Sequence, residues 1–287
     1  MHKLQDTELI LTPENKIYHL NLSKNEIADD IILVGDPARV AVISSKFDNI
    51  DCKIQNREFV THTGTLNGKR ISAIATGIGP DNIDIVINEL DALVNIDFET
   101  RTINKQKKKL NLIRLGTSGA LQQNIKVDTF IAASYGLGFD GLAHFYQNQE
   151  KLEKEIATVY TKHANWPKKL ADPYFIKAST SLLDKFPDIP NGITATAPGF
   201  YGPQGRTLRL APSINDLHEK MESFNFQNQK ITNFEMETSA LYYLGQTLGH
   251  NTLTICAVIA NRLSKQYSED YKQTVEKMID LVLNRIC

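Results

Sequence analysis

Short apolar runs rich in β-branched residues recur along the chain, and each is bounded by glycine or a turn signal. They are 31–34 (IILV), 71–75 (ISAIA), 112–115 (LIRL), 129–134 (TFIAAS), 193–197 (ITATA) and 254–260 (TICAVIA). Runs that are apolar at nearly every position indicate strands buried on both faces, as in a sheet flanked by helices. Asn67-Gly68 separates two strand-like runs and predicts a two-residue hairpin.

Helical periodicity appears between these runs. In 81–94 one apolar stripe is formed by Ile83, Val86, Ile87, Leu90, Leu93 and Val94. A second helix is predicted at 240–248, closed by Gly249, and the amphipathic segment 271–286 predicts a third. Strands that alternate with helices predict an α/β fold, which we assign as a single domain over 1–287 with a mixed central sheet flanked by helices.

Two polar segments interrupt this alternation, near 97–110 and 146–172. The first contains the basic sequence NKQKKKL, which we interpret as a solvated loop rather than a nucleic-acid patch. The second is charged, and we expect a surface helix over 146–170 with Trp166-Pro167 near its end. The formal net charge of −1 gives no long-range field that favours nucleic acid or acidic lipid.

Cellular context is inferred from the cysteines and the N-terminus. Cys52, Cys256 and Cys287 are far apart and lack metal-ligand spacing, so we expect reduced thiols in a cytoplasmic protein. The N-terminus shows no apolar signal segment, and no apolar run approaches the ~18 residues that span a bilayer. No membrane partner is expected.

Candidate chemistry follows the strands, because ligands of open α/β sheets bind at the carboxyl ends of the strands. Arg114 lies within a strand predicted to be buried, so it needs an anionic partner, either a structural carboxylate or a bound anion. Arg39, Arg57 and a turn predicted at 116–119 (GTSG) would add donors that suit a tetrahedral oxyanion such as phosphate.

A second candidate feature is the loop FYGPQGR at 200–206. The Gln204 amide offers a donor and an acceptor side by side, and Arg206 adds rigid donors. Together they match a pyrimidine ring, on which Phe200 would stack. A surface loop with incidental polar residues is the alternative reading of the same composition.

Seven ordered segments together resemble the nucleoside phosphorylase superfamily, which includes uridine phosphorylases and hexameric purine nucleoside phosphorylases. They are ILVGDPARV (32–40), NREF (56–59), TGIG (76–79), RLGTSGA (114–120), FYGPQGR (200–206), NFEMET (233–238) and VIANR (258–262). The resemblance extends from Tyr18 to about Arg262 and is closest to uridine phosphorylase. It implies a pentosyltransferase that releases uracil and ribose 1-phosphate from uridine and phosphate in nucleoside salvage.

The resemblance also implies residue roles. Phosphate would be held by Gly35, Arg39, Arg57, Arg114 and Thr117. Ribose would be held by His19, Thr117, Glu235, Met236 and Glu237. The base would be held by Phe200, Gln204, Arg206 and Ile259. Of these, Arg206, Gln204, Arg114 and Glu237 are expected to carry catalysis. His19 and Arg57 would act from a neighbouring subunit, because the family is usually a hexamer built of dimers.

Base preference and cofactors are also read from the resemblance. Purine-specific members carry Ser-Asp after the last core strand, whereas this chain has Asn261-Arg262, as uridine phosphorylases do. Some members bind a monovalent cation near the TGIG loop and a glutamate matching Glu58, but the loop here is one residue shorter, which argues against a cation. We expect no metal or organic cofactor, only phosphate as co-substrate.

Two alternatives remain open. One is a purine nucleoside phosphorylase or a hydrolytic nucleosidase on the same fold, and the other is a non-catalytic nucleoside-binding protein. The two acids of NFEMET at 233–238 also have a simpler interpretation, since acidic residues favour the N-terminus of a helix.

Overall fold

A mixed β-sheet forms the centre of the computed structural model, which describes residues 3–287. Its strands are β1 (Asp30–Val34), β2 (Asn49–Asn56), β3 (Phe59–Leu66), β4 (Lys69–Ala75), β7 (Asn111–Ala120), β8 (Phe130–Gly138), β9 (Tyr174–Lys177), β10 (Asn191–Thr196), β11 (Asn225–Phe226), β12 (Gln229–Glu235), β13 (Asn251–Asn261) and β14 (Gln266–Tyr267). A separate two-stranded ladder pairs β5 (Ile96–Asp97) with β6 (Thr102–Ile103).

The order of strands in the main sheet is β11-β12-β10-β8-β13-β7-β1-β4-β3-β2, with β14 on β13 and β9 on β8. Strand β12 pairs with β10 in parallel and also with β7 in antiparallel orientation. This extra pairing closes β12, β10, β8, β13 and β7 into a ring. The ring brings the end of β12 next to the C-terminal end of β7, although more than a hundred residues separate them in the chain.

Helices flank the sheet. They are α1 (Pro37–Ser44), α2 (Pro80–Asn95), α3 (Lys154–His163), α4 (Thr180–Leu183), α5 (Leu217–Ser223), α6 (Thr238–Thr247) and α7 (Tyr271–Ile286). Asp36 caps α1 by accepting a hydrogen bond from the backbone N–H of Ala38, and Pro37 occupies the first helical position, where its missing N–H costs nothing. Helix α6 packs against α2, β8 and β13.

The α/β fold class and the main periodic elements are confirmed. The stripe in 81–94 is the buried face of α2. The Asn67-Gly68 turn joins β3 to β4 with φ of 51° and 77°, the left-handed conformation that a two-residue hairpin requires. Gly249 follows α6 with φ of 93°, as expected for a residue that ends a helix.

Three local predictions are wrong or incomplete. The predicted turn at 116–119 is part of β7, because β13 pairs with it along its whole length. The segment 97–110 is not entirely a loop, since β5 and β6 pair across it. The surface helix expected over 146–170 covers only 154–163, and its residues Ile156 and Tyr160 are buried against a second apolar cluster. Across residues 3–287, no helix combines the length and apolarity that a bilayer crossing requires.

Candidate active site

A cavity of about 560 Å³ opens where β7, β12 and β13 meet the loops after β1, β4 and β10. Eleven of the thirteen residues predicted from the sequence line it, namely Gly35, Arg39, Arg114, Thr117, Phe200, Gln204, Arg206, Glu235, Met236, Glu237 and Ile259. These eleven residues come from five of the seven segments, and Ile78 of the TGIG segment also lines the cavity, so six segments from different parts of the chain meet here.

Arg114 is the charged centre of this cavity. It is 4% exposed and projects from β7 towards two carboxylates, Glu235 and Glu237. Its Nη1 lies 3.2 Å from Glu235 Oε2, and its Nη2 donates a short hydrogen bond to Glu237 Oε2. These carboxylates hold the pKa of Arg114 above its usual range despite the cost of burial. The structural carboxylate, one of the two partners expected from the sequence, is therefore present.

Arg114 also has hydrogen-bond donors that are not paired with any of the described residues. Its buried Nε and Nη1 have no hydrogen-bond acceptor among the described residues. The Nη1 atom is close enough to Glu235 Oε2 for an ion pair, but the two groups are not oriented for a hydrogen bond. Buried donors are rarely left unpaired in a native protein. Gly116 leaves room for this guanidinium, because a Cβ at position 116 would lie 2.1 Å from Arg114 Nη1. The free donors of Arg114 can therefore bind a further acceptor, such as an anion.

Glu235 and Glu237 make different hydrogen bonds with the backbone. Glu235 ends β12 and accepts hydrogen bonds from the backbone N–H groups of Glu237 and Thr238 and from the Thr196 hydroxyl. It is therefore the acid that caps α6. Glu237 accepts a hydrogen bond from the backbone N–H of Gly79 at 2.8 Å, and burial raises its pKa to about 7, against the attraction of Arg114.

A second cation, Arg39, lies close to Arg114 in the first turn of α1. Burial and the neighbouring Arg114 lower the pKa of Arg39. Within residues 3–287 no carboxylate lies within 4.0 Å of its guanidinium. Two arginines that share a cavity repel each other unless an anion lies between them, so Arg39, Arg114 and the nearby Thr117 form a candidate anion site.

Ile259 reaches the cavity because β13 contains a bulge. Val258 is opposite Ser118 and Ala260 is opposite Gly119, so Ile259 is the extra residue between them. A bulge bends a strand and redirects a side chain. The half-buried Ile259 thereby joins Phe234 and Met236 in an apolar part of the lining.

The loop after β10 supplies the remaining groups. The Arg206 guanidinium stacks on the Phe200 ring, 3.6 Å from its centroid, and its Nη1 donates hydrogen bonds to Phe200 O and Gln204 Oε1. Burial and the charge of Arg262 lower the pKa of Arg206 to about 10. Gln204 is 5% exposed although its loop is largely exposed. Amide and guanidinium are thus held together at the edge of the cavity.

Two residues behind this loop were not among the predicted site residues. Arg262 Nη1 donates to the main-chain carbonyl of Gln204 at 3.0 Å and lies 2.5 Å from His218 Nε2. Arg262 was visible as the end of the VIANR segment, but nothing in the sequence singled out His218. The contact depends on α5 packing against the loop, which sequence periodicity does not report.

His19 and Arg57 do not line this cavity. They lie together on another surface, where the Asn56 amide donates to His19 O at 2.8 Å and Arg57 Nη2 donates to Tyr18 OH at 3.3 Å. His19 Nδ1 is 2.6 Å from Glu89 Oε1. His19 and Arg57 therefore lie near each other but away from the other eleven predicted residues.

A larger cavity of about 760 Å³ also borders the 198–206 loop. It is lined by apolar groups such as Trp166, Tyr201 and Leu217, and it shares Arg206 with the first cavity. It lacks the glutamates and the arginine pair, so we place the chemistry in the smaller cavity. The described residues contain no group of three or more His, Cys, Asp or Glu side chains arranged to hold a metal ion.

Comparison with known proteins identifies the class. The family model described as the phosphorylase superfamily matches residues 29–286, and the chain therefore belongs to that superfamily. It is similar to the uridine phosphorylase of Thermococcus kodakarensis, with 30% identity over 94% of this chain and 86% of that protein. It is also similar to the DeoD-type purine nucleoside phosphorylase of Alkaliphilus metalliredigens, with 30% identity over 92% and 97% of the two chains.

Solved structures agree with these relatives. A Trypanosoma brucei nucleoside phosphorylase that shows uridine phosphorylase activity superposes with a TM-score of 0.86 at 28% identity, covering 97% of this chain and 99% of that one. A uridine phosphorylase from Phytophthora capsici, at 21% identity and a TM-score of 0.71 over 99% and 98% of the chains, shares the fold. The protein is a nucleoside phosphorylase, a pentosyltransferase, and it belongs to a family that uses phosphate as co-substrate.

Proposed function

We propose that the protein catalyses the phosphorolysis of a pyrimidine nucleoside, converting uridine and phosphate into uracil and ribose 1-phosphate. The observation that carries this proposal is the composition of one cavity, where the arginine pair Arg39 and Arg114 shares the lining with the Gln204–Arg206 pair. The first pair suits a phosphate dianion, and the second suits the edge of a uracil ring.

The base assignment is supported by two features of the structure. Gln204 Oε1 accepts from Arg206 but, as a carbonyl oxygen with two lone pairs, it can also accept from the uracil N3–H, while its amide N–H donates to a uracil carbonyl. Arg262 stands where purine-specific relatives are expected to carry the aspartate of Ser-Asp, and its Nη1 donates a hydrogen bond to Gln204 O at 3.0 Å. No carboxyl group is therefore available there to protonate a purine.

The chemistry follows from these positions. As the bond between C1′ and N1 breaks, its electron pair moves onto the uracil ring, and positive charge develops on the ribose. Arg206 and Gln204 stabilise the charge on the uracil carbonyls, which is electrostatic catalysis by prearranged donors. A phosphate oxygen, positioned by Arg39 and Arg114, then forms the new bond to C1′. Met236 and Glu237 hold the sugar between the two groups.

We further propose that the active site is completed by a second copy of the chain. Arg57 and His19 lie side by side on an exposed surface outside their own cavity, and no carboxylate of the described residues lies within 4.0 Å of Arg57. In a symmetric dimer each copy would donate this pair to its partner, adding Arg57 to phosphate and His19 to ribose. A hexamer would contain three such dimers.

The deciding experiment is release of uracil from uridine with and without phosphate, with inosine and adenosine as parallel substrates. Phosphate-dependent release from uridine alone supports the proposal. Preference for inosine or adenosine would assign the protein to the purine branch, and release without phosphate would assign it to nucleosidases.

Subunit mixing tests the shared site. Arg57→Ala and Arg206→Ala proteins are each expected to be nearly inactive, but a mixed dimer contains one intact site. Refolding the two together should restore about a quarter of the wild-type activity, because half of the dimers are mixed and each has one working site. If mixing restores nothing while both variants assemble normally, Arg57 does not act across an interface.

A further inference from the structure

His218 contacts the base-binding loop from behind. It is the second residue of α5, and its Nε2 lies 2.8 Å from the main-chain oxygen of Gln204 and 2.5 Å from Arg262 Nη1. Gly205 adopts a φ of 64°, and a Cβ there would lie 2.9 Å from the ring Cδ2 of His218. The loop can therefore pass the imidazole at this distance only because residue 205 has no side chain.

The contact with Arg262 defines the protonation of His218. Nε2 of His218 faces both a donor, Arg262 Nη1, and an acceptor, Gln204 O. Because the charged guanidinium is a permanent donor and the nearer partner, we take Nε2 as its acceptor, and Gln204 O accepts from Arg262 rather than from the ring. We therefore assign the ring proton to Nδ1. Arg262 Nη1 then donates to both Nε2 and Gln204 O, and it ties α5 to the loop that carries Gln204 and Arg206.

The surroundings of His218 favour its neutral form. Arg262, the residue after β13, and Arg206 in the loop face it, and the Phe234 ring of β12 lies 6.3 Å from it. Burial lowers the pKa of His218, and the two arginines lower it further, in opposition to the nearby carbonyl of Gln204. Protonation would place an N–H donor against the donor of Arg262 and a third positive charge beside two others.

We propose that His218 is a positioning residue for base recognition: its neutral ring holds Arg262 against the main chain of Gln204, and protonation of the ring releases this hold. The inference rests on the proposed function, in which the Gln204 amide and Arg206 read the base. Phosphate binding, which involves other residues, would not depend on His218.

The first test separates the two substrates. His218→Ala should lower kcat/KM for uridine roughly tenfold to a hundredfold, the range for losing a hydrogen bond to a charged group. The KM for phosphate should stay within about twofold of wild type, because the energy of a distant site adds independently. Thermal unfolding is measured in parallel, and if His218→Ala is unstable, the pH profile of His218→Gln decides instead.

The second test uses pH. His218→Gln offers Arg262 an uncharged acceptor that does not titrate, so it should retain most of the activity near pH 8. Wild type should lose kcat/KM for uridine as pH falls through the lowered pKa of His218, and this loss should be absent from the variant. The ratio of the two kcat/KM profiles, wild type over His218→Gln, isolates the effect of His218, because the titrations of phosphate and Glu237 are common to both proteins and cancel. His144→Gln, which changes an exposed histidine, should keep the wild-type profile.

The outcomes are distinct. If wild type does not act on uridine, the proposed function fails and this inference fails with it. If wild type is active but His218→Gln retains the acid limb, or both His218 variants keep the wild-type kcat/KM and profile, only the positioning role of His218 is refuted.

Discussion

Replacing Arg114 by methionine tests the charge balance of the cavity. Methionine fills similar space but removes the cation that faces Glu235 and Glu237, both less than 5% exposed. Breaking a buried ion pair by removing one partner costs about 3–5 kcal/mol, because it leaves the other charge buried and uncompensated. We expect a loss of that size at pH 8, together with a large rise in the KM for phosphate.

The loss should depend on pH with a definite sign. Burial already raises the pKa of Glu237 to about 7 in the presence of Arg114, and removing the arginine raises it further. A carboxyl group whose pKa is higher in the folded than in the unfolded protein contributes stability below its unfolded pKa of about 4.3, and this contribution is lost as pH rises through the folded value. Arg114→Met should therefore be destabilised much less at pH 5 than at pH 8.

The assay is urea unfolding at both pH values and at one fixed protein concentration, because the stability of an oligomer depends on concentration. Arg209→Met is the matched control, since Arg209 is exposed and should change stability by no more than about 0.5 kcal/mol. If Arg114→Met loses less than about 1 kcal/mol at pH 8, or loses the same amount at both pH values, the Glu237 carboxylate is not held ionised by Arg114.

Three further substitutions address separate parts of the site. Arg206→Ala should lower kcat/KM for uridine by roughly 2–4 kcal/mol, as for loss of one oxyanion donor, and a near-wild-type rate would contradict its role. Glu237→Gln should impair ribosides more than 2′-deoxyribosides if the carboxylate binds the 2′-hydroxyl, and equal losses would argue against that contact. Gly116→Ala should displace the Arg114 guanidinium, costing about 1–3 kcal/mol of stability and raising the KM for phosphate. An unchanged KM for phosphate in Gly116→Ala would show that Arg114 does not need its present position.

The sequence determined the fold class and most of the site composition. Continuous apolar runs and helical stripes report local burial, and this is why α2, α6 and the Asn67-Gly68 hairpin were predicted within a residue or two. Arg114 was singled out because a charged residue inside an apolar strand has to be paired, either with a structural carboxylate or with a bound anion. The ordered segments then supplied residues that the structure gathers in one cavity.

Only the tertiary structure decided how these residues are used. Glu235 and Glu237 are equivalent in sequence, but closure of the ring by β12 and β7 makes one the cap of α6 and the other a close partner of Arg114. The bulge at Ile259 and the contact of His218 with Arg262 also arise from pairing and packing between distant segments. Periodicity carries information about a residue's own element, whereas these contacts depend on which elements meet, and that is fixed by the sheet as a whole.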